Sequence, residues 1–157
     1  MDDLRLARLL ALATPLALLG GAYVSQLGFG LFPCEMCWWQ RYPHFAALAL
    51  ALLAWMRPPG VALAALAAAA IALSGAIGAF HAGVEYGWWE GLTACTTTPT
   101  EGVNDPLSAI LEAPLVRCDV APWSLFGISL AGWNFLISGG SALLIFALLT
   151  RARRVAR

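Results

Sequence analysis

The chain contains no lysine; its nine basic residues are all arginine, and only 11% of its 157 residues are charged. The formal net charge is +0, so the long-range attraction that a nucleic-acid partner exploits is absent. Three redox signatures are also missing: a haem-type histidine pair, a nucleotide-binding glycine fingerprint and iron–sulfur cysteine spacing. No polar linker divides the chain. What it has in excess is apolar surface, 61% hydrophobic residues with a mean hydropathy of +0.76. A soluble domain of this size could not bury so much.

Four runs approach the length needed to span a bilayer, roughly 17–25 residues. They are Leu9–Phe29, the short Tyr42–Met56, Val61–Gly83 and Phe126–Leu149. The third is alanine-rich, and Ser74, Gly75 and Gly78 allow close helix approach. The expected fold is all-α: one four-helix transmembrane domain with helices about 9–29, 40–56, 61–83 and 126–149. Arg5 and Arg8 resemble the start of a signal peptide, but the apolar run is long and no A-x-A site follows, so the helix is read as retained.

Arginine placement orients the bundle. Arg5, Arg8, Arg57, Arg151, Arg153, Arg154 and Arg157 fall on one side, against only Arg41 and Arg117 on the other. Basic residues stay inside, so both termini are expected in the cytoplasm. The outer loops, about 30–39 and 84–122, then hold all four cysteines: Cys34, Cys37, Cys95 and Cys118. An even number of thiols on an oxidising side points to disulfides. Adjacency favours Cys34–Cys37 and leaves Cys95–Cys118. Within the long second loop, "NDPLSAILEA" reads as a short amphipathic helix, lying on the membrane surface or packed on the loop.

"FPCEMCWWQRYPH" carries the chemistry. A C-x-x-C pair suits reversible oxidation, and a helix N-terminus or a cation favours the thiolate that exchange requires. Arg41 lies four residues beyond Cys37, on the same face if the helix reaches back that far; Pro43 argues for a later start. Electrons leaving this pair need an acceptor from outside the chain. A membrane quinone fits, with Arg41 stabilising its reduced oxygen and Trp38, Trp39 and Tyr42 flanking its ring. The same spacing also suits a structural bridge or half a zinc site, although zinc would want a second close pair. Arg41 could instead snorkel to the interface, and the tryptophans could be interfacial anchors. His44 and His81, near the same rim, fit ordinary hydrogen bonding as well as proton transfer. Cys95–Cys118 could brace the loop or exchange; beside a membrane-edge C-x-x-C, exchange is the better reading.

Three segments, "PCEMCWWQR", "FHAGVEYGWWEG" and "CDVAPWSLFGISLAGWN", resemble the disulfide bond formation protein B family over essentially the whole chain. The resemblance implies a bacterial inner-membrane, multi-pass protein-dithiol:quinone oxidoreductase. Its partner would be a periplasmic thioredoxin-fold oxidase of the DsbA type, its acceptor ubiquinone or menaquinone, and it would need no metal. Cys34 and Cys37 match the quinone-coupled pair, with Cys37 the thiolate that contacts quinone. Cys95 and Cys118 match the loop pair, with Cys95 the sulfur attacked by the partner. Arg41 and His81 match residues at the quinone end. Gln40 departs from members that carry an acid there. The competing expectation is a non-catalytic membrane scaffold braced by two structural disulfides.

Overall fold

A computed structural model describes residues 2–92, 96–97 and 115–155. Helix α1 (Asp3–Phe29) starts where the Asp2 carboxylate accepts the Arg5 N–H at 2.7 Å, and ends at Gly30, whose φ of 66° closes the turn. Helix α2 (Glu35–Met56) is followed by the turn at 57–60 and by α3 (Val61–Glu85). Two short antiparallel ladders follow. β1 (Thr96–Thr97) pairs with β2 (Leu115–Val116), Thr96 opposite Val116; β3 (Ser124–Leu125) pairs with β4 (Ile128–Ser129). Helix α4 (Leu130–Val155) completes the chain.

Each helix packs beside its neighbours in a four-membered ring: α1 against α2 and α4, α3 against α2 and α4. This is the all-α bundle expected from the four apolar runs. The Arg151 guanidinium lies 3.4 Å from the Asp3 carboxylate, so both termini meet at one end. Among the described residues, α1, α3 and α4 are long and apolar enough to cross a membrane. Helix α2 is not among them; its first half holds Glu35, Gln40, Arg41 and His44.

Several boundaries differ from the sequence reading: α1 begins at Asp3 rather than near 9, α3 ends at Glu85 rather than near 83 and α4 ends at Val155 rather than near 149, and the starts of α2 and α4 also move. Helix α2 begins at Glu35 rather than near residue 40, with Pro43 inside it. Cys34 makes the earlier start possible, since its sulfur accepts the Cys37 N–H at 3.2 Å and so caps the first turn. Helix α4 begins at Leu130 rather than near 126, because residues 124–129 form a hairpin. Its central Phe126 and Gly127 both have positive φ, the geometry of a two-residue reversal. The Tyr86 hydroxyl accepts the Ser129 N–H at 3.0 Å and donates to the Gly127 carbonyl at 3.2 Å, fastening the hairpin to the end of α3. The amphipathic helix expected in "NDPLSAILEA" lies outside the described residues.

The core near the termini is alanine-rich, with Ala7, Ala47, Ala51, Ala67 and Ala68 packed around Ile71 and Ile145. Small side chains bring backbones close enough for dispersion to replace the missing hydrophobic drive. Nearer the other end, a Cβ on Gly78 would meet the Ala131 carbonyl oxygen at 2.9 Å, and one on Gly75 would meet the Gly139 nitrogen at 3.2 Å. Gly78→Val is therefore expected to cost about 1–3 kcal/mol by overpacking. Gly20→Val, where nothing lies within 4 Å, is the control. Thermal unfolding in detergent checks this: the first variant should melt lower and the second stay near wild type.

Candidate functional site

Cys34 and Cys37 sit at the mouth of α2, at the end of the bundle away from the termini. The Cys34 thiol donates to the Cys37 sulfur at 2.9 Å, so the two sulfurs face each other at the start of α2. Behind them a second small core joins Cys34, Met36, Val84 and Cys118. The Cys34 and Cys118 sulfurs and His81 Nε2 all lie within 4.8 Å of one another, and all three residues are buried. The structure thus brings a cysteine from the segment between α3 and α4, the C-x-x-C pair and an imidazole into one cluster. Arg117 and Asp119 flank Cys118 and pair with each other, Arg117 Nε donating to Asp119 Oδ1 at 2.9 Å. That hydrogen bond holds the Asp119 carboxyl below its ordinary range. Cys95 lies outside the described residues.

Two adjoining cavities meet at this cluster. The outer one, about 500 Å³, is walled by Cys34, Cys37, His81, Glu85, Val116 and Arg117. The inner one, about 470 Å³, runs between α1 and α4 and is walled by Ala22, Cys37, Arg41, His44, Trp133 and Asn134, among others. Cys34 borders only the outer cavity and Arg41 only the inner; Cys37 borders both.

Arg41 is buried and held by α1. Its Nη1 donates to Gln26 Oε1 at 2.7 Å and its Nη2 to the Ala22 carbonyl at 3.4 Å, while its guanidinium lies 4.9 Å from the Tyr23 and Trp38 ring centres. Packing against two aromatic faces offsets part of the cost of burying the cation. Among the described residues no carboxylate is paired with it, so the charge is available to a group in the cavity. Trp38 thus lies over Arg41, while Tyr42 is exposed and stacks on Trp38.

His81 belongs to a buried polar network in the same half of the bundle. Gln40, Ser74, Asn134, His44 and Ser138 continue it, Asn134 Nδ2 donating to Gln40 Oε1 at 2.8 Å and His44 Nε2 lying 3.0 Å from Asn134 Oδ1. Glu85, almost fully buried, lies 3.7 Å from His81 Nε2, and its Oε2 has no hydrogen-bond partner. Sequence reasoning missed Gln26, Glu85 and Asn134. The only available signal was a polar residue inside an otherwise apolar run, and only the folded chain shows what each one touches.

The family profile described as Disulfide bond formation protein DsbB matches residues 4–148. The chain belongs to the disulfide bond formation protein B family. Relatives in this family include Disulfide bond formation protein B of Verminephrobacter eiseniae, 30% identical over 98% of this chain and 89% of that protein. Another is Disulfide bond formation protein B 2 of Pseudomonas savastanoi pv. phaseolicola, 31% identical over 82% of this chain and 78% of the relative. No solved structure matches the chain significantly. Membership in this family and the long apolar helices make it a membrane protein of disulfide bond formation.

For a disulfide bond formation protein the two sulfurs of α2 should differ in reactivity. Donation to Cys37, then burial, pushes the Cys34 thiol well above its ordinary range. Cys34 is also only 3% exposed, whereas Cys37 is half-buried. Limiting alkylation of the reduced protein, read by mass spectrometry, is expected to label Cys37 before Cys34. Preferential labelling of Cys34 would contradict the arrangement.

Proposed function

We propose that this protein takes two electrons from a reduced, periplasmic thioredoxin-fold partner and delivers them to a membrane quinone through its four cysteines. The observation that carries this reading is Cys37's position on the shared wall of the two cavities, with Cys34 on the outer one, Cys118 beside Cys34, and Arg41 on the inner one. The basic end, with Arg5, Arg57 and Arg151, then faces the cytoplasm, and the cysteines face the oxidising periplasm.

Thiol–disulfide exchange sets the order of steps. A thiolate of the partner attacks Cys95 in a Cys95–Cys118 disulfide; a partner–Cys95 bond forms and Cys118 leaves as a thiolate. The partner's second thiolate then resolves the mixed disulfide and leaves oxidised. Cys118, already beside Cys34, attacks that sulfur; the Cys34–Cys37 bond breaks and Cys37 departs as the thiolate. Cys95 re-forms the disulfide with Cys118, which returns Cys34 to a thiolate. The Cys34–Cys37 disulfide re-forms as its two electrons pass to the quinone, so across the cycle one partner dithiol loses two electrons and two protons and one quinone gains them.

The inner cavity fits a quinone head. Its volume lies within the range of small-molecule sites, roughly 300–1,000 Å³. Aliphatic residues of α1 and α4 wall it, with Arg41 as the one buried cation among the described residues on its lining. A bound quinone supplies a two-electron acceptor whose oxygens become anionic on reduction. Arg41, fixed by Gln26 and Ala22, stabilises that charge without reorganising. Cys37 Sγ presents the electron pair from one turn before Arg41 on the same helix, and Trp133 and Ile137 of α4 line the cavity.

The test is quinone absorbance on addition of a reduced thioredoxin-fold dithiol partner to purified protein. Wild type is expected to bleach the quinone, and Cys37→Ser to fall to background. Arg41→Ala should lose about 10- to 100-fold, the range for one charge-assisted hydrogen bond of roughly 1.5–3 kcal/mol, with thiol exchange retained. Turnover that survives in Cys37→Ser would remove the proposal.

A further inference from the structure

The Cys34, His81 and Cys118 cluster has the look of a soft-metal site, yet the hydrogen bonds behind it assign the imidazole a different job. Gln40 Nε2 lies 3.2 Å from the Met36 carbonyl oxygen and 2.8 Å from His81 Nδ1. A carbonyl only accepts, so the Gln40 atom facing it is the NH2 group. Asn134 is fixed in the same way, because its Nδ2 lies 3.2 Å from the Ser74 carbonyl. Gln40 Oε1, at 2.8 Å from that Nδ2, is then the acceptor. Two backbone carbonyls therefore lock both amides, and neither can flip without setting donor against donor and acceptor against acceptor.

His81 Nδ1 consequently faces a donor and must be unprotonated. The neutral ring carries its hydrogen on Nε2, and all that Nε2 faces accepts: the Cys118 carbonyl at 3.2 Å, the Cys34 sulfur at 3.6 Å and the Glu85 carboxylate at 3.7 Å. We infer that Gln40 is a positioning residue that fixes the Nε2–H tautomer of His81, so that this N–H docks the Cys118 carbonyl beside the Cys34 sulfur. The inference rests on the exchange between Cys118 and Cys34 proposed above and names what holds the two together. In the opposite tautomer a lone pair would face the carbonyl, and the loop would lose this hydrogen bond to α3. The same tautomer withholds the Nε2 lone pair that a metal would need.

The chain has two histidines, so 15N-histidine labelling of the detergent-solubilised protein gives two rings, assigned by the signal lost in His81→Gln. Wild type is expected to show His81 with Nε2 protonated and Nδ1 bare. Gln40→Glu, whose carboxylate accepts from Nδ1–H, should reverse the tautomer and slow Cys34–Cys118 exchange about tenfold, the effect of one buried hydrogen bond. Gln40→Met, which keeps the bulk and removes the donor, should give a mixture. Reduced wild-type protein should bind no zinc that depends on His81.

A bare Nε2 in wild type would overturn the inference. So would an unmixed Nε2–H tautomer in both Gln40 variants, or tight zinc binding abolished by His81→Ala. The ring signals are read without turnover; absent quinone reduction would remove the proposed function while leaving the tautomer assignment to stand or fall separately.

Discussion

Helix α2 begins where it does because a cysteine sulfur accepts the backbone N–H of Cys37. Most of the site follows from that contact. It sets the C-x-x-C pair on the first turn of a bundle helix rather than in a loose loop. It fixes the rotation of α2 so that Cys37, Arg41 and His44 line one cavity while Gln40 meets His81 on α3. A start five residues later would leave the sulfurs on a flexible approach and the arginine in the first turn. A sulfur is a weaker cap than a serine or aspartate oxygen. The loss is small beside what it gains, a reactive atom held by the helix itself.

The bundle divides its labour along its length. Near the termini, alanines let the backbones pack closely. Toward the cysteines the four helices share buried polar groups, which are expensive inside a membrane unless each finds a partner. Gln40, Ser74, Asn134 and Ser138 satisfy one another across α2, α3 and α4. Arg41 is supported from α1 through Gln26, and among the described residues no carboxylate pairs with it to cancel its charge. Polar groups so tied leave the cavity between α1 and α4 shaped and charged before any ligand enters, the condition for electrostatic stabilisation of a reduced acceptor.

The bundle was legible in the sequence because its signals are local. Apolar runs, glycine and serine at the α3–α4 contact, and arginine asymmetry can all be read without knowing a single long-range contact. The C-x-x-C pair and Arg41 are as local, and the structure gathers them with Cys118 and His81. What could not be read depends on partners distant in the chain. Gln26 acquires its role from Arg41, Asn134 from Gln40, and Glu85 from His81. Pro43 argued for a late start to α2, but the cap at Cys34 outweighed it. The hairpin ahead of α4 was hidden in an apolar run, since its reversal needs positive φ at Phe126 as well as at Gly127.

The central claim is that the outer-loop sulfur and the C-x-x-C pair touch within one chain. It is tested most directly with a Cys37→Ser, Cys95→Ser double variant, which leaves only Cys34 and Cys118. Mild oxidation in dilute detergent, followed by digestion and mass spectrometry, should recover the Cys34–Cys118 disulfide within a single chain. Thiols that stay reduced, or that cross-link only between chains, would contradict it.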